Sequence, residues 1–334
     1  MALARLILVT GKGGTGKSAV AAALALSLAR RRPTTLVDLD QRMWAARMLG
    51  VAAHDGNQAS SRNGADTTPK LDPIADLETI SLSAGAELEA FIERIVPIKA
   101  VARRMLQSRT FGYVSAALPG LEAFLMLERL RIIAGRAALE DRYAVVDAPA
   151  TGSALELLAV PGALKRLAPI GTLNRLAANV ESFLADATRF AVILTLTPQE
   201  LALREALEAS DVLRGRLNVS VAAAALNCVP SALFTRSDLD ALDAPPGHPG
   251  CARLAQWRDG AGRIAARMRR DASRAGLGVV ELPMLFSPAL GRAELQELSR
   301  VLDAGLFPAP PGTAPRRAGK PPRAARAARA AKPR

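Results

Sequence analysis

Between an apolar run and an Ala/Leu stretch the chain reads Gly11-Lys12-Gly13-Gly14-Thr15-Gly16-Lys17-Ser18, a spacing of glycine, lysine and hydroxyl suited to holding a phosphate chain. Glycine lets the backbone turn its N–H groups inward toward an anion. A helix opening near Lys17 adds the positive end of its dipole. Lys17 is placed to reach the β- and γ-phosphates of a nucleotide. The Ser18 hydroxyl is placed for Mg²⁺, a hard cation that takes oxygen ligands and keeps bound waters. Lys12 stands too early for either task and is one lysine more than phosphate binding needs. A glycine turn that merely joined strand to helix would not require Lys17-Ser18 where they stand.

The loop needs a strand before it and a helix after it. Leu6-Ile7-Leu8-Val9 reads as a buried strand, and Ala19 to Ala29 has helical character. Six further strand-like runs follow, at Thr34–Asp38, Leu77–Leu82, Tyr143–Asp147, Phe190–Leu196, Val219–Leu226 and Gly278–Leu282. Longer helical segments separate them, which predicts an α/β fold with a doubly wound, mostly parallel sheet. Ala86 to Ala138 reads as mostly helical, broken near Pro97 and Pro119-Gly120. With a second segment at about 153–188 it predicts an inserted helical subdomain. His54 to Thr68 is polar and rich in Gly, Asn and Ser, which predicts a flexible loop.

In open α/β sheets ligands sit beyond the carboxyl ends of the strands, and two aspartate-bearing ends fall there: Asp38-Leu39-Asp40 and Asp147-Ala148-Pro149-Ala150-Thr151-Gly152. Asp147, after four apolar residues, suits a carboxylate that holds Mg²⁺ through water. A lone aspartate at a strand end is commonly a helix cap, so its weight comes from coinciding with the phosphate loop.

Of the 334 residues 50% are hydrophobic but only 4% aromatic, so Ala, Leu and Val must fill the core. Met1 to Val9 is too short for a secretion signal and leads into the glycine loop; no apolar run reaches the ~20 residues that span a bilayer. The expectation is a cytoplasmic protein, at most peripheral to a membrane. Two cysteines cannot build a disulfide framework. Cys228, ending a strand pattern, reads as a buried small hydrophobe, and Cys251 reads as part of an exposed Pro/Gly-rich loop with Pro245-Pro246-Gly247-His248-Pro249-Gly250. The net charge of +13 is uneven: Arg316 to Arg334 holds eight basic residues and no acidic one. This divides the chain into a P-loop domain at 1–310 and a disordered basic tail at 311–334, able to contact polyanions through counterion release.

At these motifs the chain resembles the ArsA-type ATPases, the arsenite-pump and tail-anchored-protein targeting enzymes within the MinD/ParA group with a deviant Walker A loop. Lys12 to Ser18 is similar to that loop, and Asp147 to Leu158 with Pro161 to the family's second switch. Pro119-Gly120-Leu121-Glu122 is similar to the segment ahead of that switch. Thr197-Pro198-Gln199-Glu200 with Glu205, then Asn227, then Leu282-Pro283-Met284-Leu285-Phe286, follow in the family's order.

The resemblance implies a Mg²⁺-dependent ATPase, working as a homodimer or as a heterodimer with a related ATPase. ATP would be cradled by Gly11, Gly13, Gly14, Thr15, Gly16, Lys17 and Ser18, with Mg²⁺ at Ser18 and Asp147. It implies that Lys12 crosses the subunit interface to the partner's nucleotide, that Asp40 orients the attacking water, that Asn227 bonds the adenine edge and that Pro283 frames the base. The dimer would open and close over a membrane protein or a hydrophobic segment. Departures are visible: Gln41-Arg42-Met43-Trp44 follows Asp40 where the family reads Pro-Ala, and Ser153 stands where His is frequent. The chain has one phosphate loop, no cysteine cluster for a metalloid and no Cys-x-x-Cys. Two other classes fit the sequence. One is a ParA-like switch held on DNA or anionic membrane by the basic tail. The other is a low-turnover chaperone for hydrophobic helices, using the stripe Phe91, Ile92, Ile95, Val96, Ile98, Val101, Met105 and Leu106, which reads first as packed core.

Overall fold

The computed structural model describes residues 3–39, 42–51, 54–55, 74–95, 120–231, 235–243 and 249–307. The strands are β1 (Leu6–Gly11), β2 (Thr34–Asp38), β3 (His54–Asp55), β4 (Leu77–Ser81), β5 (Tyr143–Ala150), β6 (Phe190–Leu196), β7 (Val221–Val229) and β8 (Val279–Pro283). The helices are α1 (Lys17–Ala29), α2 (Trp44–Leu49), α3 (Ala84–Ile95), α4 (Leu121–Leu139), α5 (Thr151–Leu167), α6 (Thr172–Ala185), α7 (Glu200–Asp211), α8 (Arg236–Asp243), α9 (Pro249–Arg274) and α10 (Arg292–Leu306). A π-helical turn, Val212–Arg216, continues α7.

The strands form one sheet in the order β3-β4-β2-β5-β1-β6-β7-β8, and every described pairing is parallel. The fold is α/β and doubly wound, as the alternation of elements predicts. From β1 the chain leaves toward β2 on one side; returning through β5, it passes toward β6, β7 and β8 on the other. That reversal puts the end of β1 at the switch point of the sheet, where an open α/β fold has its crevice.

Parallel strands are covered on both faces, which is why β1 and β6 are buried at every residue. Ile7 and Val9 of β1 face a layer of α1, α2 and α10, while Leu6 and Leu8 face the layer that holds α4 to α7 and α9. Helix α1 is buried from Ala19 to Ala29. Six alanines among these eleven residues let it sit close to both the sheet and α10, which is how a core poor in aromatics is packed here.

Several boundaries differ from the sequence reading. The expected loop at 54–68 contributes a two-residue edge strand, His54–Asp55, paired with β4; its remainder lies outside the described residues. Strand β7 runs on to Val229, beyond the apolar stretch, because ladder pairing with β8 continues to Val229 beside Pro283. Cys228 is exposed rather than buried, since it takes a left-handed φ of 58° where the register of β7 shifts. Cys251 is also exposed, in the first turn of α9 rather than in a loop. Of the apolar stripe, Phe91 is partly buried against the core, and the other side chains lie outside the described residues. No helix among the described residues is long and apolar enough to cross a membrane.

Candidate functional site

The glycine loop is held from three neighbouring strands before any ligand arrives. On the β5 side, the Thr10 hydroxyl donates to the Pro149 carbonyl at 2.7 Å. On the β6 side, Thr195 Oγ1 donates to Thr10 O at 3.0 Å and lies 3.0 Å from Thr15 Oγ1, which in turn donates to Lys12 O at 2.8 Å. On the β7 side, Asn227 Nδ2 donates to Thr15 O at 2.9 Å. Thr10, Thr15, Thr195 and Asn227 are all buried, so these bonds form without competition from water. Thr10 and Thr195 escaped the sequence reading, because a threonine at the end of an apolar strand looks like an ordinary β-former.

Two glycines are required by this bracing. A Cβ on Gly11 would lie 2.2 Å from Thr195 O, and one on Gly16 would lie 2.3 Å from Asn227 Nδ2. Gly16 also has a φ of 86°, a left-handed conformation that caps the start of α1. Gly13 and Gly14 stand at the exposed tip of the loop.

The aspartates flank β1 on one side. Asp147 pairs in register with Val9 of β1 and with Asp38 of β2, so three in-register residues point to the same face of the sheet. That is the face of α1, since Val9 packs among α1 residues. Lys17 and Ser18 open α1 there, at intermediate exposure. Asp38 and Asp147 are 2% and 3% exposed. A hydroxyl and two carboxylates are an all-oxygen donor set of the kind a hard cation takes. Among the described residues no three or more His, Cys, Asp or Glu gather around a point. These donors therefore fit a Mg²⁺ ion that draws its other ligands from phosphate and water, rather than a caged metal. Asp40 lies outside the described residues.

At its end β5 bulges. Between the pairs Val9↔Asp147 and Gly11↔Ala150 one residue of β1 opposes two of β5, Ala148 and Pro149. Pro149 has no N–H to give a ladder, which explains a bulge in a central strand beside the crevice.

Lys12 turns the other way. Its Nζ lies 2.6 Å from Glu205 Oε1 of α7, with the two side chains 41% and 38% exposed. Helix α7 packs through Ala202, Ala206 and Ala209 on the sheet face opposite α1. Lys17 and Lys12 thus part company: one opens the helix on the phosphate side, the other is drawn across to the far face. Asn227 and Pro283 stand near the ends of adjacent β7 and β8, on the flank where a base would lie.

A braced glycine loop on a parallel sheet, with aspartates at the neighbouring strand ends, is the geometry of a nucleoside triphosphate site. The family model of the CobQ/CobB/MinD/ParA nucleotide binding domain matches residues 6–219. The chain belongs to this family. ATPase BagA of Mycobacterium tuberculosis is 28% identical over 226 residues, covering 63% of this chain and 61% of that protein. A Streptomyces coelicolor protein, SCO2128, described as uncharacterized, is 35% identical over 167 residues, covering 48% of this chain and 38% of its own length. The chain thus spans 61% and 38% of these curated relatives. Within the CobQ/CobB/MinD/ParA family the glycine loop, Asp38 and Asp147 all fall inside the matched region; Asn227 and Pro283 lie beyond it.

Proposed function

We propose that the protein is a Mg²⁺-dependent ATPase of the ArsA type, cycling between open and closed dimers and acting on a membrane protein or another hydrophobic partner. The observation that carries this reading is the divergence of the two loop lysines. Lys17 opens α1 on the phosphate side, whereas Lys12 is drawn to Glu205 on the opposite face and is left half-exposed. A lysine in a phosphate loop that turns from its own phosphates is available to those of a facing subunit.

In this reading the inward N–H groups of the loop and the N-terminus of α1 hold the phosphates, and Lys17 neutralises the charge that builds on the transferred phosphoryl group. Lys12 of the opposing copy adds a second positive charge there, as an arginine finger does. Ser18 and, through water, Asp147 would hold Mg²⁺, which would supply charge neutralisation at the phosphates. Asp40 orients the attacking water. Asn227 reads the base through Oδ1, the acceptor of its amide, which can take a hydrogen bond from the exocyclic amine of adenine while one N–H of Nδ2 is given to Thr15 O.

The test is ATP hydrolysis by the full chain with and without Mg²⁺. Lys17→Ala is expected to abolish turnover and Lys12→Ala to lower it by a factor of about 10²–10³, with nucleotide binding retained by Lys12→Ala. Turnover by Lys12→Ala at the parent rate would end the trans-lysine reading, and Mg²⁺-independent turnover would end the assignment of Ser18 and Asp147.

A further inference from the structure

On the sheet face away from α1, helix α9 leaves a cleft of about 330 Å³ against the ends of β7 and β8. Its apolar wall is Val229, Pro230, Ala265 and Ala266, and its charged wall is Arg258, Arg263 and Arg269 with Asp259 and Glu281. Two of the arginines are neutralised in place. Arg263 Nη2 is 3.1 Å from Asp259 Oδ2, and Arg269 Nη1 is 3.1 Å from Glu281 Oε1.

Arg258 is different. The residue is only 7% exposed, yet no described carboxylate pairs with it. Its Nη2 donates to Ser231 O at 3.2 Å and Ser231 Oγ at 3.1 Å, the Phe286 ring lies 4.9 Å from its guanidinium carbon, and its Nε makes no hydrogen bond among the described residues. Arginine is almost never so deeply buried without a counter-ion, because hydroxyls, carbonyls and ring faces offset only part of the lost hydration. The wall of the cleft therefore carries one positive charge that no described carboxylate balances.

The cleft is also kept open. Gly262 lies mid-way along α9, lines the cleft, and a Cβ built on it would meet nothing within 4 Å. Glycine is a poor residue for a helix interior, and what its presence achieves here is room.

We propose that this cleft binds a small organic carboxylate, its head on Arg258 and its apolar body against Val229, Pro230, Ala265 and Ala266. One guanidinium without a counter-ion among the described residues calls for a monoanion, and its planar fork matches a carboxylate; a phosphate monoester would bring close to two charges for one. The phosphates of a nucleotide belong to the loop on the α1 side, whereas the cleft opens on the opposite face of the sheet.

The experiment titrates the full chain with 4-fluorobenzoate, read by ¹⁹F NMR, with ADP and Mg²⁺ saturating so that the phosphate loop is occupied. The signal is that of the probe, so the result stands apart from whether the protein hydrolyses ATP. Saturable binding by the parent is expected, with the neutral 4-fluorobenzamide at least about tenfold weaker. Arg258→Gln is expected to weaken binding by the same factor. Gly262→Leu, which fills the cleft with a better helix former and keeps the fold, is expected to do so as well. No saturable binding by the parent, equal binding of the amide, or parent-like binding by folded Gly262→Leu overturns the proposal.

Discussion

Asn227 braces the phosphate loop, and in the proposed function the same amide would also read the base. Its Nδ2 donates to Thr15 O within a buried contact, so the side chain is structural whatever it recognises. Asn227→Ala leaves the Thr15 carbonyl without that donor, and removing one partner of a buried hydrogen bond costs about 1–3 kcal/mol. The expected outcome is a lower melting temperature together with ATP binding weakened by about tenfold or more, measured by calorimetry on the same preparation. Gly16→Ala tests the same contact from the other side. Its Cβ would collide with Asn227 Nδ2, and φ of 86° strains any L-residue, so nucleotide binding should be lost even where circular dichroism reports a folded chain. Of these residues Gly16 and Lys17 were legible in the sequence, since the spacing of the loop names them. Asn227 was legible only through resemblance. Thr195 was not, because nothing in Phe190–Leu196 distinguishes a threonine that braces a loop from one that fills a strand.

At the scale of elements, the join between α1 and α10 is the best-defined polar contact. Arg31 grips Asp303 with two bonds, Nε to Oδ1 at 2.9 Å and Nη2 to Oδ2 at 3.1 Å, and Ser27 Oγ donates to the same Oδ1 at 3.1 Å. The Arg31 bond, ahead of opposing desolvation, holds the Asp303 carboxyl below the usual carboxylate range, with Ser27 and Arg30 contributing less. A carboxyl whose folded value is depressed contributes stability that is present above its unfolded value of about 3.9 and fades as pH falls toward the folded one. Asp303→Asn should therefore lower stability by up to about 1 kcal/mol at pH 7, since the pair is partly solvated, and the parent and variant urea midpoints should converge at acid pH, once pH has fallen through the folded value. An equal gap at both pH values would show that the contact acts through packing alone. The strand runs were readable because parallel strands buried on both faces are continuous apolar runs, with no alternation to confuse. What escaped notice was local: a two-residue edge strand has too few side chains for a pattern, and the left-handed turn that exposes Cys228 is a property of the register of β7 with β8.

For the whole molecule the central prediction is a change of assembly. Sizing of the purified protein with ATP and Mg²⁺ should show a dimer, and without nucleotide a smaller species; identical profiles would remove the basis for a shared site. In the proposed dimer the Lys12–Glu205 pair would have to open, which sets a modest threshold for that change. An exposed ion pair of this kind is worth about 0.2–1 kcal/mol, so Glu205→Gln is expected to tighten nucleotide-dependent dimerisation by up to about fivefold, with the gain shrinking as salt rises. Sedimentation at two ionic strengths reads both effects. The order of motifs along the chain pointed to this fold and to this family, but a sequence cannot show where Lys12 rests in a single subunit, because that depends on α7 meeting the loop from nearly two hundred residues away.

The bracing of the loop by Thr10, Thr195 and Asn227 has a consequence for how the molecule signals. A cradle already ordered by its sheet loses little conformational freedom when phosphate arrives, so affinity is not diminished by an ordering step. For the same reason the cradle is a poor messenger. A part that looks alike with and without its ligand cannot report which is bound, and a γ-phosphate must announce itself through segments that have two shapes to choose between. The end of β2 at Asp38 and the bulged end of β5 at Pro149 lie beside the crevice, and in the proposed function it is there that information about the nucleotide would leave the site.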